Sequence, residues 1–566
     1  MVRDILKNTI KETISDLSLE ADDIHLEHPS DFAYGDYSTN VAMRIAKQIG
    51  ENPKELAREI TDKIREIKIK EIEKVKVAGA GFINFYLSRE FFTQSIKEIL
   101  KIGEKWGSGN SLKNQKIIIE YTDPNPFKEF HIGHLMSNAI GESISRIIEF
   151  SGAEAKRANY QGDVGLHTAK AIWALMRRKQ RGSTPLFTGD EVLGVLGEAY
   201  AEGAKAYDGD DIAKEEIKKI NKKIYDKNDN EINSLYENGR KISLEHFEEI
   251  YKKLGTKFDY YFFESETGPI GKELVKKNIG KIFEESNGAI IFRGEKAGLH
   301  TRVFVNSEGL PTYEAKDLAL AKIKNERYDY EKSIVITANE QKEYYKVVLE
   351  AMKQIYPELA KKTKHISHGI LRLSSGKMSS RTGLVITSES LIGEVKTKVL
   401  DKMKDADIAD KEGVAEQIAV GAIKYSILKQ SAGKDIVFDF DKSISFEGDS
   451  GPYLQYAYAR ASSVLEKARR QNIKSDTKKV IAETTELEKL LYRFPEVIER
   501  ANNEFEPHYI TTYLTELAGV FNSFYSREKI VEESGSSPYK IALTEVFKIT
   551  IKNGLWLLGI KAPENM

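Results

Sequence analysis

The 566-residue chain is 40% hydrophobic and 31% charged, which excludes a disordered protein and suggests about three to five globular domains. Its 86 Lys plus Arg balance 87 Asp plus Glu to a formal net charge of −1, so nucleic acid is neither required nor excluded, and any binding face must be a local patch. The absence of cysteine excludes disulfides, thiolate catalysis and cysteine-ligated zinc.

The start, MVRDILKNTIKETISDL, reads as an amphipathic helix broken by charges rather than a signal peptide. No apolar run approaches the roughly 20 residues of a membrane span, so a cytoplasmic address without a membrane partner is expected. Residues 1–105 are expected to form a small α/β module: helical patterning to about Ile67, then two strands in KVKVAGAGFINFYLS around a glycine turn. Trp106 to Gln115 is a turn-rich linker. From Lys116 the pattern becomes strand (KIIIEY), glycine-containing turn, helix to Phe150, and strand (AKRANY). In that helix Met136, Ile140, Ile144 and Ile147 keep helical spacing, so one face should pack on a sheet. This pattern opens a parallel, doubly wound α/β domain over 106–390. Residues from about 176 to 300 are charge-dense and helical, with Ile217, Ile220 and Ile224 on one stripe, and read as an insertion splitting that fold. Strand signals return in AGLHTRVFVN and YEKSIVITANE, so the sheet is expected to resume there and close near Ile386. Everything after about 390 reads as helical: a connector over 391–440, then a bundle over 441–566 with interleaved aromatics. Such a bundle is either an ordinary amphipathic core or a surface on which bases stack.

Two stretches bear chemistry. In DPNPFKEFHIGH, Asp123 to His134, two histidines stand three residues apart. They are open to three readings: metal ligands, for which no third ligand is near; ordinary surface residues; or phosphate-binding groups. The last follows from position, because ligands and anions bind where a strand's carboxyl end passes into a helix. Imidazoles there can donate hydrogen bonds to charge developing on a phosphoryl group, and Gly133 permits close approach of backbone and nucleotide. The second stretch, SSGKMSSRTG, Ser374 to Gly383, is by itself a flexible loop carrying a lysine. Together the two bracket a split nucleotide-binding fold.

Here the sequence resembles the class I aminoacyl-tRNA synthetases, whose signatures are HIGH and KMSKS. The first is literal at His131-Ile132-Gly133-His134. The second appears as Lys377-Met378-Ser379-Ser380-Arg381, without its second lysine and final serine. EYTDPNPFKEFHIGH, YGDYSTNVAMRIAK, GAGFINF, FEGDSGPYLQYAYAR, FNSFY and GLWLLGIKAPENM narrow the resemblance to the arginyl-tRNA synthetase family along nearly the whole chain. It implies a fold that is α/β plus all-α: a Rossmann-like catalytic domain split by an insertion, a small N-terminal α/β domain and a C-terminal helical bundle.

The resemblance implies arginine-binding positions at Glu120, Asn125, Tyr313, Asp317 and Gln341. Carboxylates and planar acceptors suit a forked, permanently charged guanidinium. Tyr313 and Asp317 are i and i+4, so they share a helix face. It also implies that His131, His134 and Lys377 hold the phosphates of ATP, with Asn125, Pro126, Gly133, Met378 and Ser379 completing the nucleotide site. Magnesium would accompany ATP, and no structural metal is expected. In this chain Lys128 is expected to replace the missing second lysine of KMSKS. GDVG, Gly162 to Gly165, resembles the family's GDWG and is assigned no role. The family's tRNA contacts carry over to Phe82 and Asn84 in the N-terminal module and to Gln455, Tyr456, Tyr458, Arg460, Tyr525 and Met566 in the anticodon-binding bundle. The expected partners are tRNA(Arg), L-arginine and ATP, and the expected assembly is a monomer.

Three other readings compete. A small-molecule nucleotidylyltransferase would not need two flanking RNA-scale domains. A non-catalytic relative would be expected to lose active-site residues. A synthetase for another amino acid would lack Glu120, Tyr313 and Asp317 together.

Overall fold

The computed structural model describes residues 2–21, 23–181, 192–374, 386–532 and 535–566. They fall into two units: one of residues 1–107, 457–496 and 516–553, the other of 108–456, 497–515 and 554–566.

The first unit holds a three-stranded antiparallel sheet of β1 (Tyr37–Thr39), β2 (Ile72–Ala78) and β3 (Phe82–Leu87), with β3 in the middle. Gly79 and Gly81 make the turn between β2 and β3 at φ of 53° and 128°, a region that suits residues without a Cβ. Leu6 and Ile10 of the helix Val2–Asp16, Ile60 of the helix Pro53–Ile67, and Ile83 and Phe85 of β3 are wholly buried in one core. The ring of Tyr492 joins that core, and Arg89 pairs with Glu488 at 2.7 Å.

The second unit is built on a parallel sheet. Its strands are β4 (Lys116–Glu120), β5 (Glu154–Gln161) and β6 (Tyr260–Phe263), followed beyond β7 (Glu284–Ser286), β8 (Ala289–Phe292) and β9 (Arg302–Val305) by β10 (Lys332–Ala338) and β11 (Thr363–His368). The spatial order is β11-β10-β4-β5-β6, every neighbouring pair parallel. Ile117, Ile118 and Ile119 are all buried, as expected of a central strand covered on both faces. The chain winds from β4 towards β6, then returns to the other side of β4 as β10. The order therefore reverses between β4 and β10, and the crevice outside their carboxyl ends is where such sheets bind ligands. The helix Ile132–Phe150 leaves that crevice. Met136, Ile140, Ile144 and Ile147 are buried as their spacing predicts, and so are most of its other residues. Its last turns are gripped from the C-terminal segment: Ser143 donates to the Leu557 carbonyl at 2.9 Å, and Arg146 donates to the Trp556 carbonyl at the same distance.

Three expectations need correction. β6 lies inside the span expected to be an insertion and is the edge strand of the parallel sheet; its four residues are too short to stand out beside the long charged helices. The strand in AGLHTRVFVN is β9, which pairs antiparallel with β8 in a separate β7-β8-β9 sheet rather than resuming the parallel one. The parallel sheet ends at β11, and β12 (Leu371–Leu373) pairs instead with β13 (Ile436–Phe438), a strand in the region expected to be purely helical.

The inserted helices Val192–Gly209, Asp211–Asp226 and Asn230–Leu254 share one core with Ala171, Ile172 and Leu175 of the helix Leu166–Gln180, the second of them through its stripe of Ile217, Ile220 and Ile224. Among the described residues no helix is long and apolar enough to cross a membrane.

Candidate active site

β4 delivers Glu120 to the crevice, and the chain then takes a strained path to the helix. Thr122, Asp123 and Phe127 have φ of 80°, 45° and 68°, left-handed values that side chains other than glycine rarely adopt and that cluster at functional sites. The turn is over-determined by its neighbours. Thr122 N–H donates to Ser137 Oγ at 2.9 Å, Phe127 N–H to Ser243 Oγ at 3.0 Å, and Tyr160 N–H to Asp123 Oδ1 at 2.7 Å.

The two histidines cap the helix that follows. His131 Nδ1 accepts from Gly133 N–H at 3.1 Å, and His134 Nδ1 accepts from His131 N–H at 3.3 Å. Both rings therefore carry their proton on Nε2 and keep one donor each. They stack at 3.8 Å between centroids. Burial, with the Lys128 ammonium nearby, pushes His131 down to about 4; burial, His131 and Lys128 hold His134 well below its ordinary value. The pair is thus neutral near pH 7, two aligned N–H donors rather than two cations. A Cβ on Gly133 would lie 2.9 Å from the His131 ring, so this glycine lets the imidazole fold against the backbone. Lys128 is half-buried, its ammonium 4.9 Å from the centre of the Tyr200 ring, and burial lowers its pKa. Pro126 is buried. Lys377, Met378 and Ser379, with Ser380 and Arg381, lie outside the described residues.

Beside this turn opens a cavity of about 410 Å³. All five arginine-binding positions expected from the sequence, Glu120, Asn125, Tyr313, Asp317 and Gln341, line it. Tyr313 and Asp317 come from the helix Tyr313–Arg327, and Gln341 follows β10. Asn125 sits against Gly162, where a Cβ would lie 2.1 Å from its Oδ1. Two of the carboxylates are already neutralised: Lys324 reaches Glu120 at 2.6 Å, and Lys316 reaches Glu264 at 2.5 Å. Among the described residues Asp317 has no such cation. Burial, together with Glu120 and Glu264, pushes its carboxyl up to about 8, against the opposing effect of the Tyr344 hydroxyl, which donates to Asp317 Oδ2 at 2.5 Å. A carboxyl desolvated in this way is stabilised in its ionised form by a cation brought next to it.

Sequence reasoning did not single out Asp123, Tyr160, Glu264, Arg302, Thr337 and Tyr345, which line the same cavity. Asp123 stands in the histidine-bearing stretch but has no signature of its own, and the others come from strands and helices that carry no motif, so that only the fold collects them. It also gave GDVG no role. Asp163 of that motif accepts from Arg240 Nε at 2.8 Å, Ser265 N–H at 2.8 Å and the Tyr236 hydroxyl at 3.1 Å, tying the inserted helix Asn230–Leu254 to the start of the helix Glu264–Lys277.

The expected tRNA contacts divide. Asn84 is buried and accepts from Ser38 Oγ at 2.7 Å, and Tyr458 is also buried. Gln455 is wholly buried, its amide donating to the carbonyls of Gln417 and Lys561. These three side chains serve the fold and do not reach the surface. Phe82, Tyr456 and Met566 are half-buried. Arg460 lies 4.9 Å over the Tyr525 ring, itself 42% exposed.

Comparison with known proteins agrees with this geometry. The family model described as tRNA synthetases class I (R), catalytic domain, matches residues 95–440. The DALR anticodon binding domain matches 454–566, and the arginyl tRNA synthetase N terminal domain matches 4–87. An arginine–tRNA ligase of Clostridium perfringens is 31% identical across 99% of both chains. One of Fusobacterium nucleatum is 33% identical across 94% of both. The solved arginyl-tRNA synthetase of Thermus thermophilus shares the fold at a TM-score of 0.81 and 24% identity, covering 100% of each chain. With a catalytic-domain match over most of its length and full-length relatives above 30% identity, the chain belongs to the class I arginyl-tRNA synthetase family.

Proposed function

We propose that the cavity holds L-arginine with its guanidinium towards Asp317 and its carboxylate towards the histidine turn. ATP, arriving with magnesium, lies over the donors of His131 and His134, with Asn125, Pro126, Gly133, Lys377, Met378 and Ser379 completing its site. The arginine carboxylate attacks the α-phosphorus; the bond to pyrophosphate breaks, leaving arginyl-adenylate. A ribose hydroxyl at the tRNA 3′ end then takes the arginyl group and releases AMP. Such a displacement needs positioning and charge stabilisation more than covalent help. Two fixed N–H donors that hold no competing charge of their own suit that task. Lys128, whose charge is felt at both histidines, supplies the cation that KMSSR lacks.

Residues 1–105 bind the tRNA D-arm through Phe82, and 441–566 bind the anticodon through Tyr456, Arg460, Tyr525 and Met566; between them in the sequence come the catalytic domain and the 391–440 connector. The first step waits for tRNA, because a large ligand can assemble loops around a split fold. The chain acts as a cytoplasmic monomer.

The observation that carries this reading is Asp317: a half-buried carboxylate oriented by Tyr344, without an ion pair among the described residues, in a cavity where Glu120 and Glu264 are paired with Lys324 and Lys316. Asp317→Ala should raise the arginine KM by about 10- to 100-fold, since a charged donor is left without its acceptor. An unchanged arginine KM would remove the assignment.

A further inference from the structure

Two helix starts meet at the histidine turn. The helix Ile132–Phe150 is capped by His131, and the helix Ser388–Lys402 is capped by Thr387. The N–H groups of a helix's first turn have no partner within that helix. Here the two helices exchange them: Ile132 N–H donates to the Ile386 carbonyl at 3.2 Å, and Ser388 N–H donates to the Phe130 carbonyl at 2.8 Å. In both cases the acceptor is the residue just before the cap, and the caps His131 and Thr387 face each other as an antiparallel pair. The backbone exchange is therefore reciprocal.

The side chains break that symmetry. Ile132 is apolar, whereas Ser388 Oγ adds a third bond, donating to the His131 carbonyl at 3.1 Å across 257 positions of sequence. Ser388 is wholly buried, and a buried hydroxyl is costly unless it is bonded. Its neighbour fixes it in turn: Glu389 lies 3.0 Å from His246 Nε2 and 3.5 Å from the Lys253 ammonium, both on the helix Asn230–Leu254.

We propose that Ser388 is a positioning residue for the activation step, holding His131 where its Nε2–H meets the phosphates of ATP. The assignment rests on the phosphate reading of the histidines and deepens it. His131 joins a strained turn, with Phe127 at φ of 68°, to a helix, and its own φ and ψ of −87° and 171° are extended rather than helical. Its ring follows its backbone, because Nδ1 is tied to Gly133 N–H and the ring is stacked on His134. A cap carbonyl free to tilt would swing the Nε2 donor with it, and a misplacement of about 1 Å costs as much as two decades of rate. The exchange between Ile132 and Ser388 uses backbone groups alone, so loss of the hydroxyl loosens the cap without undoing the joint.

Pyrophosphate exchange with saturating tRNA(Arg) reads the effect. Ser388→Ala should cut kcat about tenfold and move the arginine KM by about twofold at most, since none of residues 386–389 lines the arginine cavity. The deciding measurement is the cycle with His131→Asn, whose amide oxygen still suits a helix cap. In the His131→Asn chain, adding Ser388→Ala should change kcat by about twofold or less, because there is no longer a ring to place. An unchanged kcat for Ser388→Ala alone, an equal loss in both backgrounds, or a loss that falls on the arginine KM overturns the proposal. His131→Asn turning over like the parent would instead sink the phosphate reading of the histidines, on which the proposal stands. If Ser388→Ala does not fold, Ser388→Cys, of similar shape and with only a weak donor, takes its place in the same cycle.

Discussion

Protonation of Asp317 should make arginine binding strongly pH-dependent. Its carboxyl is buried and faces Glu120 and Glu264, with Lys324 and the Tyr344 hydroxyl as opposing influences, and stands at about 8. A guanidinium stays charged throughout the accessible range and requires the ionised form. About half of the carboxyl is then ionised at pH 8, about a tenth at pH 7 and about a hundredth at pH 6, and apparent affinity scales with that fraction. The dissociation constant for arginine should therefore rise about fivefold from pH 8 to 7 and about tenfold from 7 to 6. The stability of the ligand-free chain runs the opposite way. The native value lies above the ordinary 3.8, so the empty fold keeps a proton that the unfolded chain has released, and this stabilisation is lost as pH rises through about 8. Arginine should accordingly raise the thermal midpoint more at pH 8 than at pH 6.5. Calorimetric titration with arginine alone, from pH 6 to 9, reads the effect directly, and Asp317→Asn should flatten it. A dissociation constant that is constant over that range, or that tightens in acid, would refute the reasoning.

Removing the Tyr344 hydroxyl as Phe takes away a bond that lowers the Asp317 carboxyl, so the pH midpoint for arginine binding should move up and the arginine KM should rise several-fold at pH 7 with little change in kcat. Lys128→Ala should cut kcat for activation by about two to three decades, the effect of losing a preorganised charged donor, with the arginine KM nearly unchanged. Adding Ser380→Lys should recover part of that loss, and a full defect from Arg381→Ala alone would contradict the role of Lys128. Gly141→Ala would put a Cβ 2.2 Å from the Tyr121 ring, whose hydroxyl bonds Glu142 at 2.6 Å, so a melt should show the catalytic unit destabilised by about 1–3 kcal/mol or more. Pyrophosphate exchange should be slow without tRNA and fast with it, and a full rate in its absence would count against tRNA-dependent assembly.

Much of this was legible in the sequence because certain residues combine local and global signals. KIIIEY is apolar enough for a central strand, HIGH marks its exit, and the spacing of Tyr313 and Asp317 fixes a shared helix face. The missed features lack any such redundancy. β6 is four residues long and its pairing with β5 is set only by tertiary register. β9 carries a strand's composition, but composition does not say which sheet it joins. Asp123 reads as an ordinary turn residue until the fold places it beside Glu120 and Asp317. Asn84, Gln455 and Tyr458 have the chemistry of RNA contacts, yet burial commits them to internal partners, a distinction invisible without the packing.

Substrate identity is the central claim, and pyrophosphate exchange with each of the twenty amino acids, with and without tRNA(Arg), tests it most directly. Arginine alone should support exchange and be found esterified to the tRNA, because only a forked cation matches Asp317 as Tyr344 holds it. Exchange driven equally well by lysine, by a neutral amino acid, or by none of the twenty would contradict it.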